Sequence, residues 1–253
     1  MIYKRLGYYE FGQQLFETGD LDPVYIMLAQ SNLSRKQMCR WLLAYWCFYH
    51  SGLCCDIVEY GDYWSAMVAA CEPGASRASE RRHFRGIKAQ EAVAFLRSFL
   101  AEPEEIIDSF MEDGCSFQAV TARVQRLPLF GPWIAFKVAD MLERILREPI
   151  DFSGCELAFY DEPRKGAALI ETGDPEGPVN VPRLVGRLEK EFSGYLAPPW
   201  QDRAVNVQEI ETILCKFKSH WKGHYPVGKD IAEVRHSLSG RGQLASNMMR
   251  LLP

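Results

Sequence analysis

Hydrophobic positions recur along this chain at helical spacing, and before residue 127 no alternating strand pattern runs longer than a few residues. The clearest helix begins at Ser34. Ser34 and Gln37 form a capping-box pair, Met38, Trp41, Leu42, Tyr45 and Phe48 follow on one side, and Gly52 lies past the end. Trp46, Tyr49 and His50 crowd the last turn. So many aromatics read first as core packing, with base stacking by one of them as the lesser reading. A short helix is predicted after Asp22-Pro23, and more helix over 53–72 with a break at Gly61-Asp62. Amphipathic helices follow over 87–101, 103–113 and 116–127, the second opened by Pro103 with Glu104 and Glu105 in its first turn. Residues 161–180, DEPRKGAALIETGDPEGPVN, are rich in Pro and Gly and read as a long excursion or lobe connection. Helices are expected again over 181–193, over 207–220 (capped by Asn206, with Glu209 three residues on), and over 229–239 and 241–251.

The stretch that organises this pattern is Leu127 to Phe152, LPLFGPWIAFKVADMLERILREPIDF. Pro128 blocks continuation of the preceding helix, Gly131 offers a turn position without a Cβ, and Pro132 suits a new first turn. Ile134, Val138, Met141, Leu142 and Ile145 then carry the helical period, and Pro149 closes it. Two helices joined by such a turn direct backbone amides outward and form an anion site usable for a DNA phosphate. Asp151 falls twenty residues after Gly131. Within the second helix, Lys137, Asp140 and Arg144 are spaced for a salt-bridge stripe.

Composition narrows the function classes. At 253 residues with 47% hydrophobic positions, the chain can bury a sizeable core as one large domain or two small lobes. A net charge of −4 gives no global nucleic-acid signature, so any such site must be a local basic patch. The eight cysteines show no CxxC pair and no metal-cluster spacing, and are expected to be reduced, mostly buried thiols of an intracellular protein without metal or cofactor. The N-terminus lacks the apolar core of a signal peptide. The longest apolar run, Trp41 to Tyr49, is too short to span a bilayer, so no membrane role is expected.

Two local constellations carry candidate chemistry. Glu72 to Gly86, EPGASRASERRHFRG, gathers Arg77, Arg81, Arg82, His83 and Arg85 around Phe84 and suits a phosphate or pyrophosphate group. Gly223 to Lys229, GHYPVGK, matches the Gly-x4-Gly-Lys part of a phosphate-binding loop. That match fails in context, because Asp230 replaces the required Ser or Thr and the preceding segment is helical where a strand belongs. His220, Lys222, Tyr225 and Lys229 remain candidates for DNA or amino-donor contacts, as does His50.

The layout of turn, helix and Asp151 resembles the helix–hairpin–helix DNA glycosylases, in which LPGxG opens the second hairpin helix and a catalytic Asp follows at this distance. Where lyase-type members hold a catalytic Lys this chain has Trp133, which argues against Schiff-base chemistry, and Phe152 stands where Thr-His is common. Taken with RASERRHFRG and LCKFKSHWKGHYPVGKDI, the hairpin more closely resembles the phage amino acid:DNA transferases and the α-glutamyl/putrescinyl-thymine pyrophosphorylases, from about residue 30 to 240. The resemblance implies a mostly α, helix–hairpin–helix glycosylase-like fold with two helical lobes around a basic cleft. As one domain over 1–253, it would comprise a hairpin core at 116–152, the excursion at 161–180 and a C-terminal helical part at 181–253.

It also implies an enzyme of the infected bacterial cytoplasm. Its substrate would be double-stranded DNA carrying pyrophosphorylated 5-hydroxymethyluracil, and a free amino acid, glycine first, would displace the pyrophosphate. In that reading Asp151 is the catalytic base or electrostatic stabiliser, and Arg77, Arg81, Arg82, His83 and Arg85 hold the pyrophosphate. Gly131, Trp133 and Lys137 contact DNA, and His50, Lys222, Tyr225 and Lys229 contact the donor or DNA. The alternatives are a monofunctional DNA glycosylase and a non-catalytic DNA-binding module.

Overall fold

The computed structural model describes residues 6–72 and 84–253, and among these the regular structure is helical. In chain order the helices are α1 (Tyr8–Thr18), α2 (Pro23–Ala29), α3 (Arg35–Phe48), α4 (Ser51–Glu59), α5 (Tyr63–Ala69), α6 (Gly86–Phe99), α7 (Pro103–Ser109), α8 (Phe117–Val124) and α9 (Pro132–Arg144). A 3-10 turn at Cys155–Ala158 precedes α10 (Asp161–Thr172), α11 (Val181–Glu191), α12 (Val207–Trp221), α13 (Lys229–Leu238) and α14 (Gln243–Met249). Backbone bridging between extended residues occurs at Ser116 with Asp151 and at Leu196 with Ala204. No helix of the described residues is long and apolar enough to cross a membrane.

The chain divides into two compact units, one of Met1–Ala29, Phe152–Ala232 and Pro253, the other of Gln30–Asp151 and Glu233–Leu252. In the second unit α3 is the central helix, with Trp41, Leu42, Leu43, Trp46, Cys47 and Phe48 all fully buried. From Trp41 to Phe48 the helix is buried on every side, as befits a core element, and α4, α7 and α9 pack around α3. The predicted capping box at its start is present: Ser34 Oγ accepts the Gln37 N–H at 3.3 Å, and Gln37 Oε1 accepts the Ser34 N–H at 3.1 Å. The helix ends at Tyr49, not at Gly52. Gly52 lies inside α4, where a Cβ would collide with the Ser237 carbonyl oxygen.

In the first unit α12 is central, with Ile210, Ile213 and Leu214 fully buried. Its start bears out the Asn206–Glu209 capping box, and Arg203 adds two bonds to the buried Glu209 carboxylate at 2.9 and 3.0 Å. Helix α10 packs along α12, which corrects the reading of 161–180 as an irregular excursion. Pro163 falls in the first turn of α10, where no intrahelical N–H is needed. Gly166 lets the two backbones approach so closely that a Cβ would collide with the Leu214 carbonyl oxygen. The residues that suggested a loop are those that permit a tight helix pair. Helix α1, which sequence reading missed, packs on α12 through Phe11, whose ring stacks on His220 at 4.3 Å.

Candidate active site

The hairpin predicted around Leu127–Gly131 is formed by α8 and α9, which pack on each other. Ser116 caps α8, its Oγ accepting the Ala119 N–H at 3.2 Å. The turn does not use Gly131 as foreseen. Gly131 is the N-cap of α9 with φ −85 and ψ −178, an extended conformation open to any residue, and a Cβ there would meet nothing within 4 Å. The left-handed position is Leu129, with φ 66, and its side chain is 40% exposed. Phe130, two residues before Pro132, is buried and pins the turn to the core.

Gly131, the N-cap of α9, has no side chain with which to cap it, and Pro132 occupies the first position. The Gly131 carbonyl accepts the Ala135 N–H at 2.9 Å, which leaves the amides of Trp133 and Ile134 ahead of the first helical bond. Trp133 is half-buried, and its ring centroid lies 4.9 Å from that of Tyr49 at 56°.

Lys137, the further hairpin candidate for a DNA contact, is buried. It is 8% exposed, and its Nζ lies 3.9 Å from Asp140 Oδ2. Arg144, 2% exposed, approaches the other oxygen of the fully buried Asp140 at 3.5 Å. The trio is the salt-bridge stripe that its spacing suggested, folded inward, and removing one partner would strand a buried charge.

Asp151 follows where the spacing placed it, with its side chain exposed and its backbone fixed. Its N–H donates to the Cys115 carbonyl at 2.8 Å, and its carbonyl accepts the Phe117 N–H at 2.8 Å. Asp151 is thereby tied to the mouth of α8. Arg147 (φ 64) breaks α9 just upstream, with the Glu148 N–H closing back onto the Leu142 carbonyl at 3.1 Å. Cys115, which sequence reading did not single out, is the one cysteine of the eight that is exposed.

Of the Arg-rich segment, Arg77, Arg81, Arg82 and His83 lie outside the described residues. Arg85 is exposed and is the N-cap of α6. Phe84, fully buried, sets its ring edge-on to Phe48 at 5.5 Å. Cys71 and Gly86, the described residues that bracket the stretch, are joined by a bond from the Gly86 N–H to the Cys71 carbonyl at 2.8 Å.

His50, His220, Tyr225 and Lys229 have structural partners. His50 caps α4, its Nδ1 accepting the Leu53 N–H at 3.1 Å. Burial and the nearby Arg241 push its pKa down to about 4, so the ring is neutral at pH 7.

Around GHYPVGK the fold supplies its own anion. Asp20, fully buried, accepts the Tyr225 hydroxyl at 3.0 Å, the Gly228 N–H at 2.7 Å and the Ile231 N–H at 3.0 Å. The start of α13 is therefore filled by a carboxylate, which explains physically why this near-match is no phosphate loop. Lys216 Nζ pairs with Asp230 at 2.8 Å, and Lys229 Nζ donates to the His224 carbonyl at 3.1 Å. His220 Nε2 accepts the Leu6 N–H at 3.0 Å, so its Nδ1 carries the proton donated to the Tyr225 carbonyl at 2.8 Å. Lys222 is exposed at the end of α12.

The unit holding Asp151 thus also holds Gly131, Trp133, Tyr49, His50 and Arg85. Lys222, Tyr225 and Lys229 belong to the other unit.

A model of the amino acid:DNA transferase family matches residues 17–225. The chain is 38% identical to a glycinyltransferase of Pseudomonas phage PaMx11, over 93% of this chain and 91% of that protein. It is 27% identical to a putrescinyltransferase of Delftia phage PhiW-14, over 96% of this chain and 82% of that protein. With its helical fold and a match spanning both units, the chain belongs to the amino acid:DNA transferase family.

Proposed function

We propose that this enzyme joins the nitrogen of a small amino donor to the exocyclic carbon of pyrophosphorylated 5-hydroxymethyluracil in duplex DNA. The C–O bond to pyrophosphate breaks and that group leaves with the electron pair, while a C–N bond forms and the amine gives up one proton. Asp151 is our candidate for taking that proton, as an exposed residue whose backbone is bonded through both its N–H and its carbonyl. Those two backbone bonds are the observation that supports the assignment, since a base must hold its position while the nitrogen approaches.

Charge growing on the departing pyrophosphate requires cationic donors. Arg77, Arg81, Arg82 and Arg85, with His83, supply a concentration of them that a neutral base would not call for. The N-terminus of α9, with glycine at its N-cap, offers amides for a DNA phosphate, in keeping with a helix–hairpin–helix, glycosylase-like arrangement. Lys222, the exposed member of the C-terminal set, remains the candidate for a further backbone or donor contact. Glycine is the first donor, favoured because the phage glycinyltransferase is the more similar of the two relatives. The phage origin of both relatives supports action inside an infected bacterium.

The test is the identity of the product. Purified protein is incubated with duplex DNA carrying the pyrophosphorylated base and a panel of amines including glycine and putrescine, and the DNA is then digested to nucleosides. The expected result is released pyrophosphate and a heavier nucleoside containing glycine, with the glycosidic bond intact. Abasic sites without any adduct across the panel would overturn the reading in favour of base excision.

A further inference from the structure

Among the described residues, Tyr49 (φ 51) is a non-glycine position with positive φ whose ring contacts that of Trp133, and Leu129 (φ 66) is another, four residues before Trp133 in the chain. Tyr49 ends α3 in a left-handed conformation, its N–H donating to the Tyr45 carbonyl at 2.7 Å. Glycine or asparagine usually takes such a cap, because a Cβ there crowds the following carbonyl. Strain of this kind persists where its surroundings impose it, and it concentrates at ligand sites.

Tyr49 brings a ring to the end of a column. Trp41 stacks on Tyr45 at 4.9 Å and 21°, Tyr45 on Tyr49 at 4.5 Å and 29°, and the column then turns to Trp133. Trp41 and Tyr45 are buried, whereas Tyr49 and Trp133 are half-exposed. The column is therefore buried at one end and partly exposed at the other. Its partly exposed end adjoins the first turn of α9, whose N-cap, Gly131, carries no side chain. A flat aromatic face beside an anion-binding turn is complementary to a nucleotide, with its base on the ring and its phosphate on the amides.

We infer that the Tyr49–Trp133 pair is the platform on which an extruded pyrimidine of DNA stacks. The inference rests on the proposed action at a base removed from the helix stack, and it specifies which side chains receive that base. Of the two rings, Trp133 is the larger face, and Tyr49 braces it from the side. Leu129 at the turn tip is exposed on the same hairpin, but the platform does not depend on it.

The experiment measures binding by the full-length protein at one fixed salt concentration. One duplex carries a single 5-hydroxymethyluracil opposite a mismatched base, which lowers the cost of extrusion. The other carries a tetrahydrofuran abasic analogue at the same position. The wild type is expected to prefer the base-containing duplex, and Trp133→Leu to lose roughly 10-fold on that duplex alone, the scale of one base–aromatic stack. Trp133→Phe, which keeps a ring and most of the packing, is expected to retain the preference. Base binding should also quench an indole emission that is missing from the Trp133→Phe protein, a readout that holds even if the leucine variant fails to fold. Equal weakening on both duplexes, or no quenching assignable to Trp133, would overturn the platform. Amine transfer is scored separately: transfer with ring-independent binding sinks the platform alone, and ring-dependent binding without any adduct sinks the reaction alone.

Discussion

Asp151 and Ser116 are bridged through their backbones, with the peptide groups on either side of Ser116 bonded to both peptide groups of Asp151. None of these bonds uses the carboxylate, so they remain available when the Asp151 side chain is changed. Asp151→Asn is expected to fold normally and keep its DNA affinity while turnover falls by at least about 100-fold, the usual scale for losing a general base. Single-turnover kinetics on a variant with unchanged thermal unfolding checks this. Near-normal turnover would remove Asp151 from the mechanism.

Cys115 lies next to that bridge, and its thiol is exposed. Direct displacement at the exocyclic carbon needs no sulfur nucleophile, so Cys115→Ser should keep turnover and yield the same nucleoside. Loss of activity in the folded serine variant, with a protein–DNA adduct trapped by the wild type, would replace direct displacement by thiol addition to the ring.

The carboxylate of Asp20 satisfies donors on Tyr225, Gly228 and Ile231, all from a fully buried position. Asp20→Ala leaves these donors without their acceptor and should destabilise the protein by about 3 kcal/mol or more. Urea unfolding measures this. A loss indistinguishable from that of an exposed Asp→Ala control would show that water replaces the carboxylate without penalty.

His50 links stability to pH. Burial and Arg241 hold its folded pKa near 4, against 6.5 for the free side chain. Between these values the unfolded chain takes up a proton that the folded ring refuses, so stability is fully present above about pH 6.5 and falls as pH drops towards 4. The contribution is on the order of 2–3 kcal/mol across that window. His50→Asn keeps an N-cap acceptor for Leu53 and removes the titration. Its unfolding free energy should therefore decline less steeply than that of the wild type from pH 6.5 to 4, and parallel curves would contradict the assignment.

Local chemistry was the legible part of this fold. Capping boxes at Ser34–Gln37 and Asn206–Glu209 lie within one helical turn, so the residues that make them are visible in a short window. The salt-bridge spacing of Lys137, Asp140 and Arg144 was equally visible, but not that it points inward. Burial depends on what packs against α9, and nothing within the helix records that. Gly166 and Pro163 misled because the same residues serve loops and close helix pairs, and the decisive neighbour, Leu214, is remote in sequence. The anchoring of Ile231 by Asp20 spans 211 positions and has no local trace. At the candidate site, Asp151 was singled out by its distance in sequence from Gly131, while the break at Arg147 and the backbone bridge to Ser116 had no local trace. The contribution of Tyr49 was not legible, because its value comes from a backbone conformation and a ring on another helix.

The left-handed cap at Tyr49 has a consequence for directed evolution. Glycine at that position would relieve backbone crowding by about 1 kcal/mol. It would also forfeit ring contacts with Tyr45 and Trp133, each worth about 0.5–1.5 kcal/mol. Together those contacts are worth about 1–3 kcal/mol, so their loss equals or exceeds the relief. Libraries sorted by heat resistance should therefore favour an aromatic at position 49 weakly, and libraries sorted on capture of substrate DNA should favour it strongly.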